Sequence, residues 1–254
     1  MLGESKQYLI SSRLTRLTAR YELGSFGELI ECLRTNRIKG LKEAVVDAMT
    51  TNETMWFRDI YPYDALKNFL LPQFSIIRDR PLRIWSAACS YGQEPYSISM
   101  LVQEHMLYQP GTYPHNVEII ATDISLPVLD EAKKGCYDTA SISRGMSDER
   151  KQRFFKQTPD NCWQLADMIK QRVQFRELNL KDGFASLGKF DMIFCRNVLI
   201  YFSHELKADI LTRMAQSLNP GGYLILGSSE APNRYTDAFD MVRADNCMLY
   251  HLKP

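Results

Sequence analysis

From Pro81 onward the chain alternates short apolar runs with longer amphipathic ones, a pattern that restricts it to a largely parallel sheet with helices on its faces. LRIWSAAC (82–89) and VEIIATDI (117–124) read as the first two strands, separated by the helix EPYSISMLVQEHML and followed by the helical LPVLDEAKKG. FDMIFCRNVLIYF (190–202) and GGYLILGSS (221–229) flank the helix SHELKADILTRMAQSL, with NPGG read as the turn before the second of them. AFDMVRADNCMLYHLK ends the chain as a predicted hairpin. One interval breaks the rhythm. Residues 136 to about 178 run too long for one helix and one strand, so an inserted subdomain with antiparallel strands is expected there.

The front of the chain has a different texture. Three helices are predicted in SKQYLISSRLTRLTARYEL, SFGELIECLRT and GLKEAVVDAMTT, with Gly24 and Gly40 as breaks and Ser25 as an N-cap. A fourth amphipathic run, YPYDALKNFLLPQFSIIRDR, precedes the first strand. The expected division is a helical domain and linker over 1–75 and an α/β domain over 76–254. Between helices and sheet lies TNETMWFRDIYPY (51–63), which mixes polar and aromatic residues in neither a helical nor a strand pattern.

A net charge of +1 gives no bulk attraction to nucleic acid or to anionic membrane, so no nucleic acid partner is expected. No stretch is long and apolar enough for membrane insertion, and the first residues lack a signal-peptide core, so a cytoplasmic location is expected. The 6 cysteines lie far apart without a CxxC, and the 4 histidines show no ligand spacing. Reduced, buried thiols are therefore expected, with neither a metal site nor a disulfide.

Chemistry concentrates in the turn after the first strand, AACSYGQEPYS (87–97). In open parallel sheets, ligands lie beyond the carboxyl ends of the strands, and Ala87, Ala88, Cys89, Ser90 and Gly92 leave room for close backbone approach. The turn has neither GxGxxG nor a P-loop, and Glu94 stands where a pyrophosphate would need bare N–H groups. Asp123 at the end of the second strand suits hydrogen bonding to ribose hydroxyls, or alternatively caps the following helix. A cationic nucleoside without phosphates fits both acids, and S-adenosylmethionine (AdoMet) is such a molecule.

NETMWFRD, AACSYGQEPYSISM, IIATDIS, CRNVLIYF and GGYLILGSSE, in this order, resemble the motifs of the chemotaxis receptor glutamate methyltransferases, the CheR family. The resemblance runs from about residue 10 to the end. It implies a Rossmann-like class I AdoMet-dependent methyltransferase sheet behind an N-terminal helical domain, with a small inserted antiparallel β subdomain. It also implies that the polar residues of 51–63 face the cofactor, or the product S-adenosylhomocysteine (AdoHcy), while its aromatics pack beneath. By motif match Asn52, Thr54, Arg58, Ala88, Glu94, Asp123, Asn179, Leu180, Arg196 and Asn197 would line the cofactor site. Arg58 and Tyr201 would serve catalysis, at the acceptor carboxylate and the transferred methyl. The family pattern has two acids before Pro-Tyr-Ser, and this chain has Gln93 and Glu94.

The implied reaction is methyl transfer to glutamate side chains on chemoreceptor helices, giving methyl esters. A carboxylate with a reference pKa of about 4.3 is already an anion at neutral pH, so no general base is needed. The sequence offers no His/Asp or Ser/His arrangement. Arg13, Arg16 and Arg20 share one helical face and form the expected docking surface for acidic receptor helices; the competing reading is a solvated basic face. Competing readings also stand for Arg58, as a surface ion pair with Asp59 or Asp64, and for Tyr201, as a packed core aromatic. The insert loop KQTPDNCW is short and lacks glycine, so independence from a receptor C-terminal peptide tether is expected. The chain is expected to act as a monomer. The alternatives are an AdoMet-dependent methyltransferase of another protein or small molecule, and a non-catalytic AdoMet-binding protein.

Overall fold

The computed structural model describes residues 7–75, 80–108 and 116–254, with side chains from residue 11 onward. Three helices lead: α1 (Gln7–Arg20), α2 (Phe26–Thr35) and α3 (Leu41–Met49). The Ser25 hydroxyl accepts the Glu28 amide and caps α2, and Asn36, left-handed at φ 49°, ends it. Leu29, Cys32 and Leu41 give these helices a small core of their own.

The run after residue 60 forms α4 (Tyr61–Ala65), a π turn (Leu66–Leu70) and α5 (Leu71–Phe74). The sequence pattern extends this helix to residue 80, whereas the helix stops at Phe74 and 76–79 lie outside the described residues. Trp56, Phe57 and the apolar side chains of 61–74 belong to the core of the sheet, not to that of α1–α3.

The sheet elements follow as β1 (Leu82–Ala87), α6 (Gln93–Tyr108), β2 (Val117–Asp123) and α7 (Leu126–Lys134). The insert contributes β3 (Cys136–Tyr137), α8 (Thr139–Ser143), α9 (Asp148–Phe154), β4 (Phe155–Gln157), β5 (Trp163–Leu165) and α10 (Asp167–Lys170). Then come β6 (Val173–Glu177), β7 (Phe190–Cys195), a 3-10 turn (Leu199–Tyr201), α11 (His204–Gln216), β8 (Leu218–Leu226), β9 (Phe239–Ala244) and β10 (Cys247–Leu252).

Seven strands lie in the order β6-β2-β1-β7-β8-β10-β9, and the links among β6, β2, β1, β7 and β8 are all parallel. β10 runs antiparallel to both β8 and β9, as the predicted hairpin requires. Successive residues point into different cores: Leu82 and Ile84 face one, Trp85 and Ala87 the other, which is how a sheet covered on both sides is built.

The insert is a three-stranded antiparallel sheet, β3-β5-β4. β6, inside the interval assigned to the insert, instead edges the main sheet beside β2. NPGG is not a turn. It lies within β8, where a register irregularity opposite Phe190 and Met192 absorbs it and Gly221 adopts φ 75°. A Cβ on Gly222 would stand 2.9 Å from the Asn219 carbonyl oxygen, so the bulge needs glycine there.

One pair of cysteines departs from the expectation of free thiols. Cys136 and Cys162 are joined as a disulfide with their Cα atoms 5.8 Å apart. Antiparallel pairing of β3 with β5 sets Cys136 opposite Gln164, which brings two residues 26 apart in sequence within bridging range. Cys32, Cys89, Cys195 and Cys247 are free and buried.

Candidate functional site

Strand order reverses beside β1, so the crevice beyond the carboxyl ends of β1 and β7 is where such a sheet takes a ligand. A cavity of about 390 Å³ opens there, within the usual range for small-molecule sites. Asn52, Thr54 and Arg58 line it from above the sheet, Ala88, Glu94 and Asp123 from the first two strand ends, and Asn179 and Leu180 from beyond β6. Arg196, Asn197 and Tyr201 complete it from beyond β7. Every residue that sequence reasoning assigned to cofactor or catalysis thus lines one cavity.

The β1–α6 turn is shaped by backbone that bends the uncommon way: Ala88, Ser90 and Gly92 have φ of 60°, 50° and 87°. A Cβ on Gly92 would press on Ala132 at 3.1 Å and on the Tyr96 ring at 3.2 Å, so the close packing of this turn calls for glycine. The Ser90 amide donates to Asp123 Oδ2 at 2.8 Å, and the Ser125 amide donates to Oδ1 at 3.1 Å. A carboxylate fixed in this way at the strand end, lining the cavity, suits a diol. The competing role for Asp123 falls to its neighbour: the Ser125 hydroxyl accepts the Val128 amide and caps α7.

Glu94, in the first turn of α6, accepts from Ser86 Oγ at 2.8 Å and from Arg196 Nη1 at 3.1 Å. Burial pushes its carboxyl above the ordinary range, opposed by the charge and hydrogen bond of Arg196 and by Ser86. Asp123 is raised for the same reason, opposed by the amides of Ser125 and Ser90. Burial also lifts the Cys89 thiol, with Asp123 and Glu94 adding to it, so Cys89 stays protonated and is no nucleophile.

Arg196 does something that no local pattern announces. Its side chain is only 2% exposed; Nη1 donates to Glu94, and Nη2 donates to the Arg58 carbonyl and to Asp59 Oδ2 at 2.7 Å. It latches the 51–63 segment to the sheet. This leaves Arg58 outside an ion pair with Asp59: its Nη1 donates to the Glu53 carbonyl at 3.2 Å.

The segment is held at its other end too. Ser90 Oγ donates to the Asn52 carbonyl, the Trp56 amide donates to the Arg144 carbonyl, and the Trp56 ring packs edge-on against Tyr137 and Phe155 of the insert. Gly145, at φ 94°, lies so close to the Trp56 carbonyl that no side chain would fit. Thr51, Asn52, Glu53, Thr54 and Arg58 therefore face the cavity while Trp56 and Phe57 anchor beneath, whereas Tyr63 joins the lining and Tyr61 is exposed.

Tyr201 sits in the 3-10 turn, 50% exposed at the cavity wall, and is not a core aromatic. Sequence reasoning missed Tyr63, Met55 and Ile200, which also line the cavity. Tyr63 is buried against the Arg196 guanidinium, whose centre lies 5.6 Å from the ring, a juxtaposition that sequence does not carry. Among the docking candidates, Arg13 donates to the Met49 and Thr50 carbonyls and to Thr51 Oγ1, closing the end of α3, while Arg16 and Arg20 remain exposed.

The cavity fits AdoMet. Two largely buried acids suit a ribose and a sulfonium, and the residues lining it include neither lysine nor histidine. Residues 52–248 match the model described as the CheR methyltransferase SAM-binding domain, and residues 1–50 match the CheR methyltransferase all-alpha domain. The chain is 52% identical to chemotaxis protein methyltransferase 1 of Pseudomonas aeruginosa, with 100% of this chain and 92% of that one covered. It is 50% identical to the chemotaxis protein methyltransferase Cher2 of Pseudomonas putida, with the same coverage. A chemotaxis protein methyltransferase of Vibrio anguillarum is 51% identical, with 100% of this chain and 91% of that one covered. With both domain models matched in order along a sheet whose strand ends carry Glu94 and Asp123, the chain belongs to the CheR family of AdoMet-binding chemotaxis methyltransferases.

Proposed function

We propose that this methyltransferase acts on glutamate side chains of chemoreceptor helices and produces methyl esters. The observation that carries the reading is the lining of the cavity. Arg58 and Tyr201 reach it, yet it has no histidine or lysine to take a proton, and its one thiol is held protonated. Its carboxylates Glu53, Glu94 and Asp123 already accept from Arg144, Arg196 and the Ser90 and Ser125 amides, so the site suits an acceptor that arrives deprotonated, as a glutamate does at neutral pH.

AdoMet supplies an electrophilic methyl group on a sulfonium. The residues of this chain position everything else. Asp123 and Glu94 hold the cationic nucleoside, Asn52 and Thr54 close over it, and Arg58 attracts and orients the incoming carboxylate. The Tyr201 hydroxyl, at the wall of the cavity, donates to that carboxylate or holds it in line. Exclusion of water by the 51–63 segment strips the nucleophile without neutralising it, and alignment alone can contribute about 7–11 kcal/mol to lowering such a barrier.

Docking is assigned to the exposed face of α1, through Arg16 and Arg20, supported by their exposure and by the acidity of the proposed target. Arg13 serves indirectly, by fixing the start of the segment over the cavity. The loop from Thr158 to Cys162 is closed on itself by the Thr158 amide to the Cys162 carbonyl at 2.8 Å, which favours a member that works without a peptide tether. Residues 1–75 supply docking and the roof, and residues 76–254 the cofactor site.

The test is incubation with labelled AdoMet and receptor-containing membranes, followed by treatment with alkali. Release of the label as methanol is the expected result; label that survives alkali would place the methyl group on nitrogen or carbon and overturn the reading.

A further inference from the structure

We infer that Glu230 is a positioning residue for methyl transfer: its buried carboxylate staples the Asn197–Tyr201 loop, which carries Tyr201, into place. The inference rests on the proposed reaction for its kinetic consequences and on geometry alone for its structural ones.

Glu230 stands beyond the end of β8, and its side chain reaches back to the loop beyond β7. Oε2 accepts the Asn197 amide at 2.8 Å and the Gly227 amide at 2.9 Å. Oε1 accepts the Val198 amide at 3.0 Å and the Ile200 amide at 3.3 Å. Four backbone donors converge on one carboxylate that is 8% exposed. Three of those donors come from a loop that could not satisfy them by itself. Asn197 is left-handed at φ 57° and Val198 has φ −125° and ψ −36°, so the helical ladder does not begin until the Tyr201 amide reaches the Val198 carbonyl.

The approach is tight by construction. A Cβ on Gly227 would stand 2.7 Å from Glu230 Oε2 and 3.0 Å from the Asn197 amide nitrogen, so glycine at 227 is what lets the carboxylate in. Asn197, Val198, Ile200 and Tyr201 all line the cavity. The staple therefore acts on the wall that carries Tyr201, holding Asn197 through its backbone amide, and the acids proposed to hold the nucleoside, Glu94 and Asp123, lie on other strand ends.

Charge gives the arrangement a second consequence. Converging amides form a concave anion site. Left open beside a cavity meant for a glutamate carboxylate, that site would compete for the acceptor; filled by Glu230, it cannot.

The experiment compares wild type with Glu230→Gln, which keeps the shape and loses the charge, and Glu230→Ala, which opens a hole of acetate size. For Glu230→Gln the expected result is a fall in kcat of about tenfold to about a hundredfold, the range that small misplacement costs. KM for AdoMet and affinity for AdoHcy should stay within about threefold. Hydrogen exchange should speed up by about tenfold or more in 196–202 and not in 52–58. For Glu230→Ala, added acetate should restore part of kcat and slow the exchange of 196–202, which a general loss of stability would not show. Unchanged exchange in 196–202 overturns the inference, as does a kcat loss matched by an equal loss of AdoHcy affinity. If wild type itself fails to methylate receptors, the proposed reaction fails, and the exchange and acetate measurements still decide the role of Glu230.

Discussion

Replacing Arg196 by methionine removes the latch between the 51–63 segment and the sheet, and the cost can be worked from the two sides of the guanidinium. On the inner side Glu94 has 14% side-chain exposure and would keep only Ser86 Oγ as a partner. Removing one member of a buried pair typically costs about 3–5 kcal/mol, because the remaining charge has been taken out of water without compensation. On the outer side Asp59 is 37% exposed, and screening limits that pair to about 1 kcal/mol or less. Arg196→Met should therefore destabilise by about 3–5 kcal/mol, dominated by Glu94. Asp59→Asn should cost about 1 kcal/mol or less.

The double variant Arg196→Met/Glu94→Gln separates charge from packing. With both charges gone, nothing is left uncompensated, and the double variant should be more stable than the sum of the singles predicts by about 2 kcal/mol. Urea denaturation of the four proteins without ligand gives each value. Additivity of the two singles within about 0.5 kcal/mol, or a cost for Arg196→Met below about 1 kcal/mol, would refute the assignment of Arg196 as a charge-balanced latch.

Three further outcomes follow from the site. If Asp123 holds the nucleoside as proposed, Asp123→Asn should remove a charge-assisted hydrogen bond and weaken AdoHcy binding by roughly 10- to 150-fold in calorimetry, with a change of less than about twofold counting against the role. Tyr201→Phe should leave the fold within about 0.5 kcal/mol of wild type, since the ring is half exposed, while lowering single-turnover methyl transfer by about tenfold or more at unchanged AdoHcy affinity. Because burial raises the folded pKa of Glu94 and Asp123, the ligand-free protein binds more protons than the unfolded chain from about pH 4 up to those raised values. Their contribution to stability is therefore full at low pH and is lost as pH rises through the folded pKa, relative to Glu94→Gln. Affinity for cationic AdoMet must move the opposite way and fall as pH drops through the same window; equal signs for the two would contradict the electrostatic account.

What the sequence made legible was local. Alternating runs placed β1, β2, β7 and the β9–β10 hairpin, and Ser25 announced the start of α2 through its own hydroxyl. Motif spacing named the lining of the cavity from both sides of the switch point. What it hid depends on contacts between distant segments. Gly221 and Gly222 look like a turn until pairing with β7 draws them into a bulged strand. Cys136 and Cys162 share no motif, and only the β3–β5 ladder makes them neighbours. The family resemblance names Arg196 only as a cofactor contact, yet two of its nitrogens belong to Glu94 and Asp59, partners 102 and 137 residues away. β6 looks like part of the insert because nothing in VQFRE says which sheet it will join.

The dependence of single-turnover methyl transfer on pH, at saturating AdoMet with receptor as acceptor, tests the central claim most directly. A pre-ionised acceptor that needs no general base predicts a rate that is flat from about pH 6.5 to about pH 9. A rate that climbs with a limb near neutrality would require a titrating base in the transfer step, and would contradict the account.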